Sequence, residues 1–171
     1  PSVVFRPYEP PAEEPDEEYP FYFVTGRLLE HWHTGTLTRR VPELDRALPE
    51  ALLNVSPEDC EKLGVLDGDM VRVRSRFGQF DIKVSTAGRT EPPAGVVFAP
   101  FFAEEALANL AVQDTYCPLS KEPDYKKTCV AIEKIRGDRM KKRIVAAALA
   151  LAMALGAGAV VGCSGQPQKE D

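Results

Sequence analysis

No two cysteines stand in C-x-x-C spacing, because Cys60, Cys117, Cys129 and Cys163 are scattered. That excludes a zinc ribbon or an iron–sulfur cluster built from this chain alone. There is no G-x-S-x-G and no P-loop pattern, so the nucleophile elbow and the phosphate cradle of nucleotide hydrolases are absent. Positive charge is in deficit, with 21 Lys and Arg against 26 Asp and Glu. A chain of net charge −5 has no basic footprint for nucleic acid, which is excluded as a partner on these grounds. Histidine and tryptophan are scarce, at two and one, and all three fall in one short run. No internal repeat is apparent. The 171 residues suffice for one ordinary domain and a tail. The first residue is Pro1 rather than Met, which reads as a fragment or a processed product.

Charge is divided unevenly. Residues 1–139 hold 17 basic and 24 acidic groups, whereas residues 140–171 hold 4 and 2. The tail opens Met140-Lys141-Lys142-Arg143, runs uncharged from Ile144 to Gly162, and continues Cys163-Ser164-Gly165. A basic start, an apolar stretch and small residues before a cleavage point are the parts of a secretory signal. The Cys after Val-Val-Gly resembles a bacterial lipoprotein signal, with Cys163 as the lipidated residue. Three readings stay open for 140–171. Met140 begins a neighbouring lipoprotein joined to this chain, or the run is a C-terminal membrane anchor or hydrophobic helix, or it is an ordinary end. A membrane partner follows only if the tail is real.

At the other end, residues 1–20 contain six Pro and six Asp or Glu. Such composition buries little apolar surface and blocks helix and ladder alike, which predicts an extended approach segment or a solvated linker. Residues 21–136 read as the folded domain. Phe21-Tyr22-Phe23-Val24 is strand-forming. Val71 to Ser75 and Phe80 to Val84 alternate apolar and polar about Phe77-Gly78, which predicts a hairpin. Gly95 precedes another strand over residues 96–99. Ser56-Pro57-Glu58-Asp59, with Gly64 downstream, predicts a two-turn capped helix. Residues 42–48 and 104–110 are expected to be further short helices. Short strands with frequent turn signals predict a mainly β barrel with short helices.

The chemistry concentrates between Val24 and Thr36, which hold His31, Trp32 and His33. A strand running into Thr25-Gly26-Arg27 offers backbone N–H groups, a hydroxyl and a guanidinium, a set suited to phosphate oxygens. Trp32 could stack on a flat ring or pack in the core. His-x-His could ligate a metal, though further ligands are not apparent. A turn with packed aromatics explains the same residues. A Cys117–Cys129 disulfide is open from spacing.

Longer strings carry a resemblance. Tyr19-Pro20-Phe21-Tyr22 and TGRLLEHWHTGTLTRRVPEL over residues 25–44 resemble the C-terminal domain of the catalytic subunit of periplasmic nitrate reductases, molybdenum enzymes of the dimethyl sulfoxide reductase superfamily. The likeness continues through Leu63-Gly64, Asp67-Gly68-Asp69, residues 73–78, Gly88-Arg89 and PPAGVVFAPFF over 92–102. It ends with Asn109, Asp114, Pro118-Leu119-Ser120-Lys121 and residues 124–127, and so spans about 1–135. It departs from the family at Leu110, Tyr116-Cys117 and Thr128-Cys129.

The resemblance implies a double-psi β-barrel that closes over molybdenum-bis(molybdopterin guanine dinucleotide). It implies cofactor contacts from Thr25, Gly26, Arg27, Leu28, Leu29, Glu30, His31, Trp32, His33 and Thr34, with Asn109 and Lys126 as two more. Phe101 matches a position lining the approach of the substrate, nitrate. The family's [4Fe–4S] cysteine motif, its molybdenum-ligating Cys and its twin-Arg export signal do not occur in this sequence. The chain by itself is therefore expected to lack nitrate reduction and to hold no catalytic residue of its own. A c-type cytochrome electron donor and a periplasmic location are implied by family only. The same domain of a formate dehydrogenase or of an assimilatory nitrate reductase is the alternative reading. A non-catalytic, lipid-anchored binding module is the alternative of another class.

Overall fold

The computed structural model describes residues 3–5, 7–8, 10–86 and 91–135, within the unit Pro1–Ile135. The signal-like tail with Cys163 lies outside the described residues, as do Gly88 and Arg89. No helix among the described residues is long and apolar enough to cross a membrane.

Six strands close into a barrel. They are β1 (Phe21–Gly26), β2 (Leu52–Val55), β3 (Met70–Arg74), β4 (Gln79–Ser85), β5 (Val96–Pro100) and β6 (Thr128–Lys134). Their order around the barrel is β1-β5-β2-β4-β3-β6, with β6 returning to β1. β1–β5 and β2–β4 run parallel, and every other pairing is antiparallel. Closure removes the open strand edges that would otherwise pair with other chains.

Alternation drives the barrel. In β1, Phe21, Phe23 and Thr25 point inward while Tyr22, Val24 and Gly26 are half-exposed. Phe23, Leu53, Val71, Val73, Ile82, Val84, Val97 and Val130 fill the interior. Each such side chain contributes roughly 1.5–3 kcal/mol on burial, offset largely by the entropy of ordering the chain. The hairpin expected about Phe77-Gly78 forms, with Val71 opposite Ile82 and Val73 opposite Phe80.

The helix α1 spans Pro42–Ala47, and α2 spans Pro57–Leu63. α2 forms as its caps dictate. The Ser56 hydroxyl accepts the Asp59 N–H at 3.1 Å, and Gly64 takes the left-handed conformation at φ 63°.

Several expectations need correction. Residues 104–110 do not form a helix, since only a 3-10 turn over Ala108–Ala111 is present. Ala103, Ala106, Ala108 and Ala111 are all buried while Leu107 and Leu110 stay exposed, so packing of small residues on the barrel end overrides a short helix with a costly nucleus. Two strands, β2 and β6, are additional to those read from the sequence. The Cys117–Cys129 pairing that spacing left open is not formed, since both are free thiols, one exposed and one buried in β6. Residues 11–18 are mostly exposed, yet Glu13, Asp16 and Glu18 pair with Arg74 or Arg76, and Tyr19 is buried.

On the hairpin's outer face Arg72 grips Asp81 with two hydrogen bonds of 2.8 and 3.0 Å. They hold the Asp81 carboxyl below its ordinary value of 3.8. Its contribution is therefore full above that value and is lost as pH falls through the lowered folded-state value. Both partners are two-fifths exposed, so the effect is below about 1 kcal/mol. The stability difference between the native chain and Asp81→Asn, measured by urea unfolding, is expected to be constant from pH 7 to 5 and to vanish in stronger acid. A difference that grows on acidification contradicts the pair.

Candidate cofactor-binding site

The site begins where β1 ends. Thr25 lies inside the barrel rim, and its hydroxyl donates to the Tyr125 carbonyl at 3.1 Å. The Lys126 ammonium in turn donates to the Thr25 carbonyl. The end of β1 and the segment before β6 are thus stitched by two reciprocal bonds across about a hundred residues of sequence. Burial, and then the neighbouring Arg27 charge, hold the Lys126 amine below its ordinary value. Two cations kept close form an anion-seeking pair.

Arg27 leaves the strand exposed. Its guanidinium contacts His33 Nε2 at 3.0 Å and lies 5.3 Å from the centroid of the Trp32 ring. A guanidinium only donates, so His33 Nε2 is the acceptor and its proton sits on Nδ1. His33 holds φ 51°, a left-handed backbone rare for a side chain of its size. Trp32 is 64% exposed and meets His33 edge-on with ring centroids 4.7 Å apart. A flat, exposed indole beside a guanidinium is a ready stacking surface.

The two histidines part company. His31 is buried, its Nε2 donates to the Leu48 carbonyl at 2.7 Å, and its Nδ1 lies 3.2 Å from the Thr38 hydroxyl. Both ring nitrogens are engaged in structure. No group of three or more His, Cys, Asp or Glu able to hold a metal exists among the described residues. The His-x-His metal reading is therefore set aside. The bland reading applies to His31, which packs 4.2 Å from the Phe102 ring and anchors the loop. Leu28 packs against the core, Leu29 is exposed, and Glu30 is half-buried.

Beyond the loop lies a cavity of about 510 Å³ lined in part by Thr34, Gly35, Arg39, Arg40, Phe101 and Asn109. Three residues that the resemblance singled out, Thr34, Phe101 and Asn109, thus meet in one space. Gly35 is required there. It sits at φ 73°, and a Cβ would come 2.9 Å from Arg39 Cγ and 3.3 Å from Phe102 Cβ. Arg39 is fixed by Asp45 at 3.2 Å and lies over the Phe102 ring at 5.6 Å. The sequence reading quoted Arg39, Arg40 and Phe102 within its motifs but gave them no role. The signal was the paired Arg of TRR, close to the Thr-Gly-Thr turn.

The donor set fits a dinucleotide. Arg27 and Lys126 suit diphosphate oxygens, Asn109 can donate and accept at a ring edge, and Trp32 offers a stacking plane. Residues 21–130 match the model of the molydopterin dinucleotide binding domain. The chain belongs to this family. It carries a molydopterin dinucleotide binding domain over residues 21–130. Acetylene hydratase from Pelobacter acetylenicus is similar in fold, with a TM-score of 0.59 and 16% sequence identity, over 68% of this chain and 18% of that one. The chain thus spans under one fifth of the length of that enzyme. The family's barrel positions the residues in two groups, one at the rim of β1 and one in the cavity. The loop that carries His31, Trp32 and His33 runs between them.

Proposed function

We propose that this domain is the C-terminal part of a periplasmic nitrate reductase and that it binds molybdenum-bis(molybdopterin guanine dinucleotide) in a double-psi barrel. The two interleaved parallel pairs, β1–β5 and β2–β4, support that topology. The unusual TGRLLEHWHTGTLTRRVPEL string supports the subfamily. One observation carries the reading most: Lys126 and Arg27 stand together at the end of β1, with the amine bonded back to the Thr25 carbonyl.

When bound, the molybdenum group would supply the two-electron, oxygen-atom chemistry that the complete enzyme needs to convert nitrate to nitrite. Arg27 and Lys126 hold its diphosphate oxygens. Trp32 and His33 stack and shape the approach, while Asn109 reads a polar edge in the cavity. Phe101 forms an aromatic wall that keeps water from a small anion. The molybdenum ligand, the [4Fe–4S] cluster and the cytochrome contact belong to the remainder of the enzyme on this reading.

The test is made in the complete enzyme. Arg27→Ala removes a charge-assisted bond worth about 1.5–3 kcal/mol, so molybdenum and pterin retained after purification are expected to fall roughly tenfold or more. Nitrate reduction is expected to fall in step. Full cofactor content in the variant rejects the assigned site. A native enzyme that oxidises formate and leaves nitrate untouched rejects the substrate while keeping the site.

A further inference from the structure

We propose that residues 11–19 act as an electrostatic latch that holds the β3–β6 seam shut and keeps the Cys129 thiol covered. This goes beyond cofactor binding and does not depend on the substrate.

The register of β6 shows the need for it. Val130 and Ile132 belong to the core, so alternation turns Cys129, Ala131 and Glu133 outward. Ala131 is half-buried and Glu133 is exposed, yet Cys129 has 0% exposure. Something covers it from outside the barrel. β3 pairs with β6 only from Ala131 onward, opposite Arg74. The Cys129 N–H lies beyond that last pairing, and the Glu13 carboxylate accepts it at 2.9 Å. A side chain of residues 11–19 thus completes a ladder that β3 leaves short.

Charge holds the segment in place. Arg76 pairs with Glu13 at 3.1 Å and Asp16 at 2.5 Å, and lies 4.3 Å over the Tyr19 ring. Arg74 donates to the Tyr19 hydroxyl at 2.7 Å and reaches Glu18 at 3.3 Å. Asp16 also closes its own turn, accepting the N–H groups of Glu18 and Tyr19 at 2.9 and 2.7 Å. The pairs are partly exposed, so salt weakens them, with a screening length of about 3 Å at 1 M against about 10 Å at 0.1 M. Beneath this cover, burial and then the Glu13 charge push the Cys129 thiol up to about 11. The thiolate is the nucleophile, so the closed latch leaves the sulfur both covered and protonated.

The chain carries its own controls. Cys117 is exposed, and Cys60 is a buried residue of α2. Iodoacetamide is the probe: the thiolate forms an S–C bond, iodide leaves, and the thiol proton passes to solvent. Labelling is read at each cysteine by peptide mass spectrometry. At low salt, Arg76→Gln and Glu13→Gln are each expected to raise the Cys129 rate roughly tenfold, the scale of one lost charge-assisted bond. Native protein moved to 1 M salt is expected to shift the same way. Cys117 stays constant, Cys60 stays unlabelled, and Arg46→Gln, which breaks an ion pair within α1, leaves Cys129 unchanged. An unchanged Cys129 in both latch variants overturns the proposal. So does a rise at Cys60 that matches Cys129, since that reports opening of the whole barrel.

Discussion

Asp59→Ala is expected to destabilise the barrel by about 3 kcal/mol. Asp59 is buried at 2% exposure, and its carboxylate serves two elements at once. It accepts the Ser56 hydroxyl at 2.8 Å within the α2 cap. The same oxygen accepts the Gly95 N–H at 2.7 Å, immediately before β5. Gly95 in turn gives its carbonyl to the Tyr22 N–H at 2.9 Å, so the carboxylate also aligns the start of the β1–β5 pairing. Alanine leaves the half-buried Gly95 N–H and the buried Ser56 O–H without their acceptor. Asp59→Asn keeps an acceptor and is expected to lose about half as much. Urea unfolding checks both, with the midpoint falling and the slope unchanged. A loss under about 1 kcal/mol for alanine means that the carboxylate does not bridge the two elements.

Gly78→Val is expected to have the second large effect, and through sterics alone. A Cβ on Gly78 would stand 2.3 Å from the Leu110 carbonyl oxygen. That neighbour is backbone, so no side chain can rotate away. Either the hairpin turn or the 3-10 turn Ala108–Ala111 must move. The hairpin turn is braced, because the Ser75 hydroxyl accepts the N–H groups of Phe77 and Gly78 at 3.0 and 3.2 Å. The 3-10 turn is short and its Leu107 and Leu110 are exposed, so it yields and carries Asn109 with it. Overpacking of this kind costs roughly 1–3 kcal/mol. The complete enzyme carrying Gly78→Val is expected to lose pterin retention more steeply than stability, as Asn109 leaves the cavity. Unaltered pterin content with a normal unfolding midpoint would falsify this account of the contact.

Local chemistry was legible residue by residue. Ser56, Pro57 and Gly64 announced α2, and the alternation on both sides of Phe77-Gly78 announced the hairpin. Arg27 and Trp32 were singled out for an anion and a flat ring, and they stand together at the surface. His31 and His33 could not be separated, because their difference lies in partners seventeen and six residues away. β2 and β6 were missed for related reasons. Leu52–Val55 is four residues long, and a short apolar run reads equally as helix or strand. Thr128–Lys134 has its pairing partners in β1 and β3, far back in the chain.

By itself the sequence determined a β-rich domain, its capped helix, its hairpin and the stretch where both histidines and the tryptophan concentrate. Those depend on period, caps and turn residues, which act over a few positions. Only the tertiary structure decided which groups meet. Barrel closure brings Lys126 to Thr25, Gly78 to Leu110 and Glu13 to Cys129. It also ties an acidic, proline-rich stretch to the outside of the barrel through Arg74 and Arg76. The physical reason is the same in each case. A contact between residues tens to a hundred positions apart is set by how strands pair into a closed sheet, and no local pattern encodes that register.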